Sequence, residues 1–230
     1  MLIGQHYFIF ELDKRDEPLV AEDPSDYLHT TSGNLIGLDD DNRRRIAGRF
    51  ELHYVNVCAA IDDGQAVFDI FDCQQSTIDY YTAIFTPDTA DFSEALSSLL
   101  DDELLWGNVL ILERLEILPR FRGEGLGLLA MRRMIERFGV GAAVVAIKPF
   151  PLQHEHAGGD VDQWGARMKL SELEKDTKRA TAALKRYYKR LGFRMMKGTP
   201  YMFLSTAAKL PLARDLVDKK PDRRPKGYEG

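Results

Sequence analysis

Cysteine is scarce in this chain. Cys58 and Cys73 are the two among 230 residues, too few for a disulfide framework or a four-thiolate zinc site. Both are expected as small buried apolar side chains. Neither sits in a nucleophile motif that would carry an acyl-cysteine route. No apolar run reaches the roughly 18 residues that span a bilayer, so no transmembrane helix is encoded. The opening MLIGQHYFIFELDK lacks a basic stretch ahead of its apolar one, which argues against a signal peptide. Internal repeats are absent too. The expectation is a soluble, cytoplasmic protein with no membrane partner.

What is present is ample material for a core. Hydrophobic residues make up 44% and charged residues 29%, which excludes a mostly disordered chain. The net charge is −5 and is unevenly spread. Residues 209–230 hold seven basic and four acidic side chains, leaving the body at −8. A body of that sign argues against nucleic acid and favours a cationic partner such as an amine.

Along the chain, residues 2–12 (LIGQHYFIFEL) read as a strand. The polar stretch 13–45 reads as a long loop with at most a short strand. Residues 48–61 read as a strand entering a core, closed by the turn Asp62-Asp63-Gly64. Apolar residues at 67, 70, 71, 78, 81 and 85 have helical spacing, and 92–100 reads as a second, short helix. Residues 107–118 read as a half-buried strand, 126–138 as an amphipathic helix stopped by Gly139, and 140–147 (VGAAVVAI) as a buried strand. Strand, helix, strand in that order is a βαβ unit with a parallel pair. Residues 148–170 are an irregular polar insertion. Ser171 with Glu174 reads as a capping box opening the next helix, which Gly192 ends. Residues 193–196 and 201–205 read as a final strand pair, and the chain after Leu210 as a charged tail, disordered in isolation.

The chemistry concentrates at one strand-to-helix turn, Pro119-Arg120-Phe121-Arg122-Gly123-Glu124-Gly125-Leu126-Gly127. A helix N-terminus offers unpaired amides and partial positive charge, which suit pyrophosphate. Counted from Gly123, a dinucleotide-binding G-x-G-x-x-G has Leu128 at its third glycine, and the Gly-Lys-Ser/Thr of a P-loop is missing. The pattern that fits is R-x-x-G-x-G, carried by Arg122, Gly125 and Gly127. Farther on, Tyr187-Tyr188-Lys189-Arg190-Leu191-Gly192-Phe193 closes a helix with an aromatic-Tyr-x-x-Leu-Gly-Phe run.

The two motifs, in this order and with a buried strand between them, resemble the GNAT superfamily of N-acetyltransferases over residues 107–205. The resemblance implies an α/β fold with a central mixed, twisted sheet, helices on both faces and an N-terminal extension. Residues 1–106 would complete or extend the sheet, 107–206 would form the acetyl-CoA-binding core, and 207–230 a flexible tail. Two strands the family places ahead of the loop strand would come from 2–12 and 48–61 in a rearranged order.

By the same resemblance the cosubstrate is acetyl-CoA, with no metal. Its pyrophosphate would sit on the amides of Arg122, Gly123, Glu124, Gly125, Leu126 and Gly127. Its peptide-like arm would pair with the strand around Leu115, Ile117 and Leu118, as in β-augmentation. The amide of Leu115 or Ile117 would face the thioester oxygen. The implied activity moves acetyl to a primary amine, with Tyr188 as general acid and Tyr187 as the register alternative. For the base, Glu113 is favoured over Glu116. Residues three apart on a strand face opposite sides unless a bulge intervenes.

Thr181 and Leu184 stand where the family commonly has asparagine and alanine. They keep open an alternative, a non-catalytic CoA-binding or protein-interaction module on the same fold. A homodimer is also left open. His154-Glu155-His156 lacks the i, i+4 spacing of a helical zinc motif. The seven basic residues of 175–190 read as a solvated helix face.

Overall fold

A computed structural model describes residues 6–15, 19–100, 106–155 and 163–217. The chain forms an α/β fold around one seven-stranded mixed sheet of order β1-β2-β3-β4-β5-β7-β6. Its strands are β1 (Tyr7–Leu12), β2 (Leu28–Leu38), β3 (Arg44–Val55), β4 (Asn108–Ile117), β5 (Ala142–Ile147), β6 (Arg194–Met195) and β7 (Met202–Ser205). Only β4 and β5 run parallel, and the other neighbours are antiparallel. The expected βαβ unit is that parallel pair, joined by helix α5 (Leu126–Phe138), which Gly139 ends.

Strand alternation divides the core in two. Leu110 and Leu112 of β4 point to the face covered by α5, where Leu128, Met131 and Met134 meet them. Val109 and Ile111 point to the opposite face. That side is covered by α1 (Val57–Asp62), α2 (Val67–Asp72), α3 (Gln75–Ile84) and α4 (Glu94–Leu100). Beyond β5 lie α6 (Gln163–Met168), α7 (Thr177–Lys189) and α8 (Ala213–Leu216). Among the described residues no helix is long and apolar enough to cross a membrane.

Several expectations need correction. The stretch read as a loop contains β2, an eleven-residue interior strand. Its polar composition hides a strand, and within that strand a Cβ on Gly33 would stand 2.1 Å from Glu11 O. The glycine serves the close approach of β1 rather than a bend. The strand expected over 48–61 ends at Val55, and Val57–Asp62 is helical. The single helix expected from 67 is two, parted at Cys73 and Gln74. The Ser171 cap is not used, because Leu170–Glu172 is a 3-10 turn. Asp176 caps α7 instead, accepting from Arg179 N at 2.7 Å. Neither cysteine is buried: Cys58 is half-buried and Cys73 exposed. The segment after Leu210 is not all loose tail, since Leu216 packs into the α5-side core at 1% exposure. Residues 2–5, 156–162 and 218–230, with His156 and most of the basic tail, lie outside the described residues.

Candidate functional site

The site begins where two strands part. β4 pairs with β5 only over Asn108–Ile111, whereas it pairs with β3 as far as Ile117. One edge of β4 beyond Ile111 therefore has no strand beside it. Leu118 N donates to Ala47 O of the β3 side at 2.8 Å. Backbone groups alternate along a strand, so the amides of Ile117 and Leu115 point the other way, to the open edge. The carbonyl of Ile117 faces that edge too, and accepts from Arg122 Nε at 2.7 Å.

A cavity of about 660 Å³ occupies the gap. It runs from one face of the sheet to the other. Met131 and Met134 of α5 wall one end, while Ser76, Asp79 and Tyr80 of α3 wall the other. Leu115 and Ile117 form its β4 side, and Leu184, Tyr187 and Tyr188 of α7 close it opposite. Of the residues expected to hold the donor, Arg122, Gly123, Gly125, Leu126 and Gly127 line the cavity as well. Leu118 and Glu124 are not part of its lining. Leu118 is spent on the β3 pairing.

The glycine turn does what its composition requires. Gly123 and Gly125 have φ of 78° and 81°, a left-handed backbone that side chains other than glycine rarely adopt. Gly125 is the N-cap of α5 and no side chain caps it. The first intrahelical bond is Leu129 N to Gly125 O, so the amides of the first turn have no partner inside the helix. A Cβ on Gly127 would lie 2.5 Å from Tyr187 Oη, which places that hydroxyl against the first turn. The Arg122 side chain is a clasp. Besides Ile117 O it donates to Met168 O at 2.7 Å, tying the end of β4 to α6. On the outer side of the turn a Cβ on Gly125 would meet Leu216 O at 2.5 Å.

The two glutamates are separated by their partners rather than by their faces. Glu51 of β3 pairs with Arg114 and the next residue, Leu52, with Leu112, leaving Glu113 as the extra residue of a β-bulge. Leu112 and Leu115 both pack on the α5 side with two residues between them, so Glu113 and Arg114 turn together to the other face, which Glu116 shares. There Glu116, 9% exposed, accepts from Trp164 Nε1 at 2.6 Å and from Arg114 Nη1 at 3.1 Å. Arg114 continues to Glu155, and the Arg49 guanidinium lies 4.0 Å from the Trp164 ring centroid. That cluster bounds a second groove of about 1070 Å³ beside the first. Glu113 makes no hydrogen bond or ion pair of that kind with the described residues. Burial, and then the Glu51 carboxylate, raise its pKa.

Tyr188 is half-buried beside this gap, and burial pushes its hydroxyl up from the ordinary value. Tyr80 is raised as well, by burial and then by Glu113. Tyr201 packs against Tyr80 with ring centroids 4.4 Å apart and the planes tilted by 35°, and burial followed by Asp79 pushes its hydroxyl to about 12. Sequence reading missed Asp79, Tyr80 and Lys148 in this lining. Lys148 was visible as the first charge after the apolar run of β5. Asp79 and Tyr80 are signalled only by the packing of α3 over the gap. The polar insertion contributes Leu152, Gln153 and Glu155 to both cavities. Among the described residues no group of three or more metal-ligating side chains gathers.

The chain matches no protein-family model, no curated protein and no solved structure.

Proposed function

We propose that the protein is an acetyl-CoA-dependent N-acetyltransferase that moves an acetyl group to a primary amine by direct attack on the thioester. The observation that carries this reading is one cavity onto which an unpaired strand edge, an uncapped helix N-terminus, Glu113 and Tyr188 all open. A ligand that is peptide-like in its middle and doubly anionic at one end uses the first two together. The resemblance of the Arg122-to-Gly127 turn and the Tyr187-to-Phe193 run to the GNAT superfamily points the same way.

In this reading the pyrophosphate lies on the first-turn amides of α5, and the pantetheine arm lies along Leu115 and Ile117. The Leu115 amide donates to the thioester oxygen as charge develops there. Glu113 takes the proton of the incoming ammonium, its raised pKa bringing it nearer to the working pH of a base. Tyr188 keeps its proton at neutral pH and gives it to the departing sulfur. The acidic body favours a cationic acceptor.

Isothermal titration with acetyl-CoA tests the donor half. Gly125 is a poor control because Leu216 fills the space a side chain would need. Gly123 has nothing within 4 Å of its Cβ position, and aspartate tolerates a left-handed φ better than most residues. Gly123→Asp is expected to abolish binding by setting a carboxylate against the pyrophosphate. Tyr188→Phe is expected to lower turnover about 10²-fold or more while acetyl-CoA affinity holds within about twofold. Leu184 in the cavity wall, where the family commonly has alanine, favours the second reading, a module that binds CoA without turnover. Tight binding with no turnover across an amine screen would establish that reading instead.

A further inference from the structure

Lys148 stands across the gap from the bulge. In the parallel pair Ile111 lies opposite Ala146, and both face the α3 side. Two residues farther along each strand, on that same face, come Glu113 and Lys148, at the level where the strands separate. Both line the cavity that Tyr188 and the glycine turn also line. The Lys148 ammonium is held there from above. Its Nζ is 3.8 Å from Asp79 Oδ2 of α3 and 6.0 Å from the Tyr201 ring centroid. It also lies close enough to Glu113 for the two charges to attract. An acidic side chain, an aromatic face and a carboxylate across the gap are what an alkylammonium acceptor needs. The chain supplies one of its own.

We propose that Lys148 is a self-modification site, acetylated at Nζ by the thioester bound in the gap. The inference rests on the donor reading given above. The step balances with the residues at hand and an acetyl thioester as co-reactant. The Lys148 ammonium passes one proton to Glu113, and the freed nitrogen pair attacks the thioester carbonyl. A C–N bond forms and the C–S bond breaks with its electron pair leaving on sulfur, which takes the Tyr188 proton. The second proton shed by the nitrogen restores the Tyr188 hydroxyl, and Glu113 releases its proton to water. The product is a neutral amide. It no longer pairs with Asp79, so the α3 end of the cavity becomes more acidic as a result.

The test incubates the full chain with acetyl-CoA alone, without added amine, and follows each lysine peptide by mass spectrometry. The expected result is one acetyl group on Lys148, at a rate independent of protein concentration, as an intramolecular transfer requires. Lys148→Arg keeps the charge facing Asp79 and removes the label. Gly123→Asp and Glu113→Gln each slow labelling at least about tenfold. Labelling spread over exposed lysines, or unchanged in Gly123→Asp, is plain chemical acetylation and overturns the proposal. Calorimetric binding of acetyl-CoA with Lys148 unlabelled overturns the proposal and leaves the donor reading standing. Failure to bind acetyl-CoA at all removes both.

Discussion

The two halves of β4 are one strand with two different fates. From Val109 to Ile111 it is paired on both edges, and all three residues are fully buried. From Leu112 to Ile117 it keeps β3 on one edge and faces a cavity on the other. The first half is built as a parallel-sheet interior, apolar on both faces. The second mixes Glu113, Arg114 and Glu116 with half-buried leucine and isoleucine. A bulge at Glu113 marks the change. The gap is made by withholding a neighbour, and the backbone groups that β5 leaves unpaired are what the proposed donor arm would use.

The largest effect that can sharpen this contrast is on stability. Leu110→Ala removes a fully buried side chain among α5 residues and is expected to cost about 2–5 kcal/mol in chemical denaturation. Leu115→Ala, in the open half and half-buried, is expected to cost about 1 kcal/mol and to weaken acetyl-CoA binding. Equal losses at the two positions would mean that the open half is as tightly built as the closed one.

Glu116 gives the next effect, within the open half itself. Its carboxylate joins Trp164 and Arg114, so Glu116→Gln breaks a half-buried ion pair while keeping the shape. A loss of about 1–2 kcal/mol is expected, with turnover held within about twofold. A large loss of turnover with unchanged stability would exchange the roles of the two glutamates.

How much of this was readable in advance follows the same division. β4, α5 and β5 were legible to within two residues, because apolar period and glycine stops agree there with the fold. The turn at Arg122 and the tyrosine run were legible because glycine and a helix end leave local marks. β2 was not, since Gly33 and Gly37 answer to the neighbouring strand rather than to their own segment. The bulge was conceivable but unplaced. A one-residue slip between Glu51 and Leu52 of β3 depends on pairing across more than fifty positions of chain. Asp79, Tyr80 and Leu216 reach the site only through tertiary packing, and nothing in their own neighbourhoods announces it.

The smallest effect separates the glutamates most cleanly. Burial raises the folded-state pKa of Glu113 above its ordinary 4.5, so between those two values the folded chain holds a proton that the unfolded chain has already lost. Stability then falls as pH rises through that window. Below 4.5 both states are protonated and the carboxyl costs nothing. Above the raised value the cost is complete and constant. Glutamine carries no charge to desolvate, so Glu113→Gln is expected to match the wild type in acid and to unfold at a higher temperature near neutrality. The gap should open within the window and not outside it. A gap of the opposite sign, with the wild type gaining as pH rises, would mean that Glu113 has an ion-pair partner in the folded chain as Glu116 does. A carboxylate tolerated at a cost to stability is what a proton-transfer group in a cleft requires, and the sign of that one difference decides whether the bulge holds such a carboxylate.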